Sequence, residues 1–582
     1  MQNYIKYLIV LFFVGTSVFA EAQTEADTLK REVEVTKAYT PIISDANKLN
    51  SMPEINEEET QKPTFNYRIK SQPFFSTFQS APLKAATIET TPPEQRGYGL
   101  VRAGLGTYYK PYGELFFNNR NSKNTLFGLH AMHLSSWGDI KLESGNKVDA
   151  PYMDNQVELF VKHTINQSIL SVDLSLDHNA FNYYGYPEDS IPAILLNDNQ
   201  DINYFGTKQA LTKGGIHIGL NNPVTDMDEE TFDFDFDYHY LGTKTDQTEH
   251  FVNFTVDLRR AMNTGMGLLE AGIEYVRVDN ITPLGDSVQG DASTTVLFAK
   301  PAWYVGSKKA NVTLGLNTWF IMHSDDDAEA KLATNIRANW TPVEDILNLY
   351  AGVDGDFQHN YYSKIAYENP FVNPDHQLEN SMQKYRFFGG FDGRFSKNAT
   401  FKIDAEYAHI EDNPFYYLTK GLIPGSSSAM VVDNTFSVLY DNMDRFKLGA
   451  EFMYNSAKVN LHAGMNYYSY SLDEQVEAWN LPDWDATFSL TYNVNEQLSV
   501  TTDVFLLGNR QAMVYALAFD EQATDLYTLD TALDLNLRGN YQLTNKFSVF
   551  AQLNNFGFQK YERWLGYPVQ SFNMLAGISY AF

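Results

Sequence analysis

Three aspartates separated by single residues form the most chemically suggestive spacing in the chain. Asp233, Asp235 and Asp237 alternate with aromatic residues, and His239 continues the same parity. A calcium-binding EF-hand loop also places acids at its first, third and fifth positions, but it needs Gly at the sixth and Glu at the twelfth. Tyr238 and Lys244 occupy those positions. The spacing therefore favours the polar face of a strand, because alternate strand residues point to the same side.

Two other groups could bind a metal ion by residue type alone. Asp325, Asp326 and Asp327 precede Glu329 in a segment of loop composition, where they either gather around Ca²⁺ or form a solvated acidic loop, and the solvated loop is favoured. His130 and His133 are three residues apart on a predicted strand. They should face opposite sides of it and cannot share a metal ion.

Enzyme motifs are absent from the sequence. It contains no H-E-x-x-H, G-x-S-x-G or P-loop pattern, and it has no cysteine to act as a nucleophile or thiolate ligand. Gly104-Leu105-Gly106 begins like a dinucleotide fingerprint, but Tyr109 stands where the last glycine belongs. We therefore predict a protein that is not an enzyme and that has no cofactor, with an outer-membrane hydrolase as a remote alternative.

The composition restricts the class of protein further. The formal net charge is −29, which excludes general nucleic-acid binding because phosphates require basic surface. The chain nevertheless contains 37 Tyr and 40 Phe, far more rings than disordered acidic proteins carry. A mean hydropathy of −0.35 is too polar for a bundle of membrane helices. A chain that is polar on average and rich in aromatic residues has a composition that suits an outer-membrane β-barrel.

The elements that would position these residues are long alternating strands. Phe232, Phe234 and Phe236 alternate with the three aspartates, and similar alternation recurs at 252–259, 401–407 and 533–538. Many of these runs last about nine to thirteen residues, the length that crosses a bilayer at a tilt. The parity predicts that the three phenylalanines face lipid, whereas Asp233, Asp235, Asp237 and His239 face the lumen.

The connections between the runs alternate in length. Ten short polar turns separate longer aromatic-rich loops, which we predict at 179–207, 360–382, 411–442 and 509–530. Short periplasmic turns and long external loops are typical of outer-membrane barrels. The fold prediction is an all-β, transmembrane, antiparallel up-and-down barrel of about 22 strands, with a range of about 18–22, over residues 97–582.

The two ends of the chain agree with export to the outer membrane of a Gram-negative bacterium. Residues 1–22 have the positive start, apolar run and A-x-A pattern of a secretory signal peptide. Residues 23–96 hold seven of the 21 prolines, which predicts an extended periplasmic leader. At the other end, Ile578, Tyr580 and Phe582 share one parity on a last strand. They resemble the signal read by the barrel-assembly machinery.

A short segment of the leader suggests a periplasmic partner. Glu32, Val33, Glu34, Val35 and Thr36 resemble a TonB box, which pairs with TonB by strand addition. The signal peptide, this segment, the predicted barrel and the terminal Phe together resemble a TonB-dependent receptor. Members of that family carry a folded plug between box and barrel, but only residues 37–96 are available here. This departure from the family pattern implies a plug that is missing or vestigial.

Two functions follow as hypotheses. The first is receptor-like or porin-like transport of solute across the outer membrane. The second is a plugged barrel that acts as a scaffold or subunit of an outer-membrane assembly, secretion or uptake complex. The expected partners are outer-membrane lipid, the barrel-assembly machinery, and TonB or a periplasmic or surface lipoprotein.

Overall fold

The structure is a computed structural model of the chain. It describes residues 98–119, 124–142, 145, 147–185, 208–222, 230–281, 290–324, 326–374, 378–422, 430–516 and 524–582. The signal peptide, the leader and the box-like segment Glu32–Thr36 lie outside these residues. The predictions made for them therefore stay predictions.

The described residues form strands and one short helix. The first fourteen strands are β1 (Gly99–Gly106), β2 (Lys110–Asn118), β3 (Thr125–Ser136), β4 (Asp139–Lys141), β5 (Lys147–Asp149), β6 (Tyr152–Ile165), β7 (Ser168–Asn182), β8 (Lys208–Asn221), β9 (Thr231–Thr243), β10 (Thr248–Met262), β11 (Gly265–Ile281), β12 (Gly290–Gly306), β13 (Ala310–His323) and β14 (Glu329–Val343). The helix α1 (Tyr362–Glu368) lies between β15 and β16. The remaining strands are β15 (Leu347–Gln358), β16 (Ser381–Arg394), β17 (Ala399–Leu422), β18 (Met430–Asn455), β19 (Val459–Leu472), β20 (Trp484–Asn493), β21 (Leu498–Leu507), β22 (Arg510–Ala516), β23 (Thr524–Leu529), β24 (Ala532–Gln542), β25 (Phe547–Asn554), β26 (Glu562–Trp564), β27 (Tyr567–Pro568) and β28 (Asn573–Ala581).

Twenty-two of these strands close into one antiparallel barrel, as the sequence predicted. Each long strand pairs with its neighbour along the chain, and β1 pairs with β28 to close the ring. At the seam, Gly99 N–H donates to Phe582 O over 3.1 Å, and Phe582 N–H donates to Gly99 O over 3.0 Å. Closure leaves no unpaired edge in the wall, which a strand structure requires inside lipid.

The two ends of the barrel differ as the connection lengths predicted. One end, here called the turn end, carries tight connections such as Asn166-Gln167 between β6 and β7 and 263–264 between β10 and β11. The opposite end, here called the mouth, carries the long connections, including 359–380 between β15 and β16. By the rule for outer-membrane barrels, the turn end is periplasmic and the mouth faces outward.

The prediction of a loop at 411–442 was wrong. β17 and β18 instead run for 24 and 26 residues, and their pairing continues from Ala399↔Tyr454 as far as Leu422↔Met430. Irregularities between Ile410 and Asn413 and between Leu418 and Lys420 interrupt the register. Aromatic side chains of this extension pack inside the mouth, which stabilises strands well beyond the length that lipid requires.

Three short hairpins lie outside the wall. β22–β23 joins the main sheet by a parallel pairing of Leu418–Lys420 with Val514–Ala516, and β4–β5 and β26–β27 form separate two-stranded sheets. No described helix is long and apolar enough to cross a membrane.

Candidate functional site

The polar face of β9 meets polar side chains of β8. His217 Nδ1 lies 2.7 Å from Asp237 Oδ1, and its Nε2 lies 3.6 Å from Asp235 Oδ1. On the other face, Phe236 lies opposite the exposed Phe254 in the register of β9 and β10. The lumen-facing assignment of the aspartates stays a prediction, and these contacts support it.

Three acids stand side by side nearer the turn end. Asp233 is the register partner of Asp257, Asp257 is the partner of Glu270, and Glu270 is the partner of Lys300. Lys300 Nζ donates to Glu270 Oε1 over 2.8 Å. Asp233 Oδ1 is buried and accepts no hydrogen bond from the described residues. The three acids Asp233, Asp257 and Glu270 are here called the acidic row. Like charges directly opposite one another on neighbouring strands destabilise a sheet.

On strands β15–β18, basic side chains pair with several of the acids. Arg386 donates two hydrogen bonds to Asp354, over 2.9 and 2.6 Å. Arg445 donates to Glu406 over 2.8 Å, and Lys402 lies 3.2 Å from Asp404. Fork-like pairing of guanidinium with carboxylate fixes both groups. These three acids of β15–β17 are therefore each held by a basic side chain of the same part of the wall.

The connection between β15 and β16 folds against the interior wall. Residues 359–374, here called the inner loop, include α1. Ser363 N–H donates to Glu249 Oε2 over 3.1 Å, and Ser363 Oγ lies 3.2 Å from His239 Nε2. Glu249 is only 1% exposed. His239 therefore holds the inner loop, a role that its position in the sequence did not indicate.

The Ser363, His239 and Glu249 contacts do not form a catalytic triad. In a triad the acid bonds one ring nitrogen of His while the nucleophile bonds the other. Here Glu249 Oε1 lies 3.4 Å from the same Nε2 atom that meets Ser363. Glu249 also accepts the backbone N–H of Ser363, so the group is an anchor for the start of α1.

Two further contacts fix the inner loop to the wall. Gln247 Nε2 donates to Pro374 O over 2.6 Å. His359 Nδ1 lies 2.5 Å from Glu274 Oε1 on β11. Gln247 is 1% exposed, and its Oε1 accepts no hydrogen bond among the described residues. The loop is therefore tied to β10 and β11 at several points.

Side chains from opposite sides of the ring meet at the mouth. Asn434 on β18 donates its Nδ2 hydrogen to the carbonyl of Tyr183, just beyond β7, over 2.8 Å. Tyr567 donates its hydroxyl hydrogen to Asn434 O, and Tyr184 donates to Pro568 O over 3.0 Å. β7 and β18 stand on opposite sides of the barrel in the order of pairing. These contacts, here called the mouth bridge, span its opening.

An apolar cluster surrounds the bridge. Phe371 of the inner loop stacks on Tyr567 with ring centroids 3.6 Å apart, and Trp564 meets Tyr416 edge-on at 5.1 Å. Arg510 donates to the carbonyls of Glu562 and Arg563 and so ties β22–β23 to β26–β27. Burial lowers the pKa of the Arg510 guanidinium to about 10, so it remains charged at neutral pH. The buried members of the cluster are Ile365, Val372, Tyr416, Leu418, Phe436, Ala512, Val514, Leu529, Trp564, Leu565 and Tyr567.

The histidine pair on β3 behaves as predicted. His130 Nε2 lies 3.2 Å from Glu114 Oε1, whereas His133 Nδ1 lies 2.6 Å from Asn155 Oδ1 on the other face. Within the described residues, no group of three His, Asp or Glu is arranged to hold a metal ion. Asp325 lies outside those residues. Asp326 Oδ1 accepts the backbone N–H of Asp327 over 2.9 Å.

Ile578 and Tyr580 lie on the closing strand β28, and Phe582 follows it. Ile578 is exposed, and the ring centroid of Tyr580 lies 4.7 Å from that of Phe547. Phe582 completes the seam with Gly99. Their recognition by the assembly machinery stays a prediction, as does TonB pairing by Glu32–Thr36.

Comparison with known proteins relates this barrel to solved receptors. The sequence matches no protein-family model and no curated protein. The structure resembles the FrpB iron transporter from Neisseria meningitidis, with a TM-score of 0.62, 10% identity, and coverage of 84% of this chain and 82% of that one. It resembles the ferripyoverdine receptor of the outer membrane of Pseudomonas aeruginosa, with a TM-score of 0.59, 12% identity, and coverage of 84% and 72%.

A third solved structure is similar to this chain to the same degree. The ferric-catecholate import receptor Fiu from E. coli K12 matches with a TM-score of 0.59 and 11% identity, over 84% of this chain and 82% of that one. At these identities the likeness establishes the fold. The resemblance to TonB-dependent receptors drawn from the sequence is confirmed at the level of the 22-strand barrel.

Proposed function

We propose that this outer-membrane β-barrel carries solute across the outer membrane through its polar interior. A 22-strand ring is too wide for wall side chains alone to fill its lumen. The observation that carries the proposal is the mouth bridge. It covers the mouth with residues of the barrel's own connections. A barrel with a purely structural role would not need to control access to its lumen. The solved neighbours are named as receptors and transporters, which supports the same class.

The proposed resting state is closed at the mouth, and passage requires the inner loop and the bridge to move. The contacts that must release are the hydrogen bonds of the mouth bridge, the stack of Phe371 on Tyr567 and the part of the apolar cluster that packs around Tyr567. Each such hydrogen bond contributes about 0.5–1.5 kcal/mol, and the packing of the cluster adds to the free energy that opening requires.

Conductance in planar bilayers tests this proposal. The purified wild-type protein should conduct weakly, and Tyr567→Ala, which removes both the stacked ring and the hydroxyl donor, should raise single-channel conductance several-fold. Phe582→Tyr at the seam serves as the control and should leave conductance low. Equal conductance of wild type and Tyr567→Ala would contradict a mouth controlled by the bridge.

The scaffold hypothesis has one observation in its favour. β17 and β18 project beyond the length needed to cross the membrane, and such an extension offers surface to a partner. Co-purification in mild detergent separates the two functions. A stoichiometric partner bound by a non-conducting barrel, in wild type and Tyr567→Ala alike, would favour the scaffold.

A further inference from the structure

A row of polar side chains crosses four neighbouring strands, β3, β6, β7 and β8, near the mouth. His133 is the register partner of Asn155. Asn155 is in turn the partner of His178, and His178 is the partner of Thr212. Directly opposed residues of neighbouring strands lie side by side on one face of a sheet. The four side chains therefore share one face, and the row is here called the polar belt.

The same face becomes apolar on β6 and β7 towards the turn end. Val157 and Leu159 follow Asn155 at the same parity, and Leu174 and Leu176 precede His178 at the same parity. All four of these aliphatic side chains are exposed. A continuous exposed apolar face on a barrel wall is the face that contacts lipid. The polar belt therefore lies on the lipid side of the wall.

The belt lies at the height where the apolar band of an outer-membrane barrel ends. His178 follows Ser168, the first residue of β7 after its turn, by ten residues, which is about 33 Å along a strand that rises about 3.3 Å per residue. At a strand tilt of about 40°, this length corresponds to about 25 Å along the membrane normal, and the apolar band is about 25 Å tall. Because the mouth faces outward, the belt lies at the level of the outer-leaflet headgroups.

The belt has hydrogen-bond donors that the wall does not use. His178 Nδ1 lies 2.8 Å from Thr212 Oγ1, whereas its Nε2 makes no hydrogen bond to the described residues. When the hydroxyl of Thr212 donates to Nδ1, the neutral ring carries its hydrogen on Nε2. Asn155 Oδ1 lies 2.6 Å from His133 Nδ1, and the amide Nδ2 of Asn155 likewise has no partner in the part of the chain that the structure describes. Both donors are available to an acceptor outside the wall.

The charge of this face is positive. Lys208, the first residue of β8, precedes Thr212 by four residues and therefore lies on the same face, nearer the mouth. It is exposed, and no acidic oxygen of the described residues lies within 4.0 Å of its Nζ. The residues that β6, β7 and β8 place on this face include no Asp or Glu. The face thus suits an anion, although the chain as a whole has a net charge of −29.

We infer that the polar belt binds the phosphate-bearing headgroup of a glycolipid in the outer leaflet. Lys208 neutralises the phosphate, and His178 Nε2 donates to one of its oxygens, since ammonium and N–H groups are the common protein partners of phosphate. The amide of Asn155 donates to a sugar hydroxyl. The acyl chains of the lipid lie along the exposed Leu174 and Leu176 below the belt.

Native mass spectrometry of the full-length protein, purified in a nonionic detergent, tests this inference. The probes are phosphorylated lipid A and lipid A from which the phosphates have been removed. Wild type should prefer the phosphorylated probe by at least about tenfold, because hydrogen bonds to charged groups are the stronger ones. Combining His178→Leu with Lys208→Gln should remove this preference and should leave binding of the dephosphorylated probe unchanged.

The matched control combines His163→Leu with Lys309→Gln at the turn end. His163 lies on the same face of β6, and its Nδ1 is 2.7 Å from Thr125 Oγ1, the type of contact that His178 makes with Thr212. Lys309 is an exposed cation of the turn between β12 and β13. The control variant should retain the preference of wild type for the phosphorylated probe.

Several results would overturn the inference. They are equal binding of the two probes by wild type, equal losses in the belt and control variants, and equal binding of phosphatidylglycerol, which has a phosphate but no sugar. A dimer in detergent that the belt variant dissociates would assign the belt to a second copy of this chain instead. The single change Lys208→Gln guards against poor assembly of the double variant, and it should weaken binding of phosphorylated lipid A by about threefold, the effect of losing one exposed ion pair.

Discussion

Successive side chains of β9 lie on opposite faces of the strand, one face polar and the other aromatic. Asp235 and Asp237 contact His217, whereas Phe236 lies opposite Phe254 on the other face. This division follows from the period of two, since neighbouring strand residues point to opposite sides. The consequence can be tested one residue at a time.

Phe234→Asp should impair assembly, whereas Asp235→Asn should be tolerated. Lysine or arginine on the lipid face costs about 2–4 kcal/mol at the membrane centre and an acid costs less, so we expect a penalty up to about 2 kcal/mol for the first change. The fraction of heat-modifiable barrel on gels measures assembly. Normal assembly of Phe234→Asp together with failure of Asp235→Asn would invert the assigned faces.

Glu249→Ala should release the inner loop. It removes the acceptor of Ser363 N–H and a partner of His239, and a buried unsatisfied donor costs about 1–3 kcal/mol. Limited trypsin digestion should then cut after Lys364 faster than in wild type, while the wall strands stay protected. Glu344→Ala at the turn end is the control. Unchanged cleavage would show that the anchor is dispensable.

At the scale of elements, the strands of the barrel wall could be predicted from the sequence, whereas the structure of the mouth could not. The wall follows from a local pattern, because alternation, strand length and short turns are each readable within a few residues. Phe415, Tyr416 and Leu418 of β17 carry a strand beyond the membrane because they pack against residues from β18, β22 and β26. The contacts with β22 and β26 join segments that are about 95 to 150 residues apart in sequence, so they cannot be read from a local pattern.

The candidate site shows the same division. The acids of β9 could be placed on one face from the sequence, but the row that joins Asp233, Asp257 and Glu270 depends on the register of three strands. Gln247 precedes β10 and Glu249 lies near its start, and nothing in the sequence around them indicates a contact with residues 359–374. Their roles become visible only when the inner loop is placed against them.

Arg510→Met should loosen the hairpins of the mouth. The change keeps a long side chain but removes the donors to the carbonyls of Glu562 and Arg563, which would be left without these bonds. We expect faster amide hydrogen exchange across β22–β23 and β26–β27 and no change in β9–β11. Exchange rates equal to wild type in both hairpins would contradict this role.

At the scale of the whole molecule, the proposed transport requires a source of energy that displaces the inner loop and the mouth bridge. If TonB supplies it, Val33→Pro or Val35→Pro should abolish function, because proline removes a main-chain donor from a segment that pairs as a strand. Growth that depends on the protein and binding to TonB are the two measurements. Deleting residues 23–60 should remove the same interaction but leave barrel folding intact. Unchanged growth and binding in the proline variants would exclude the box.

The mouth bridge also has a mechanical consequence. Hydrogen bonds between neighbouring strands fix the circumference of a ring, but they resist its flattening into an ellipse only weakly. Asn434, Tyr183 and Tyr567 connect opposite points of the ring and act as a spoke across it. A barrel without the spoke would flex between round and oval sections under lateral pressure from lipid. Spin labels placed on β7 and β18 should report a broader distance distribution across the ring in Tyr567→Ala than in wild type.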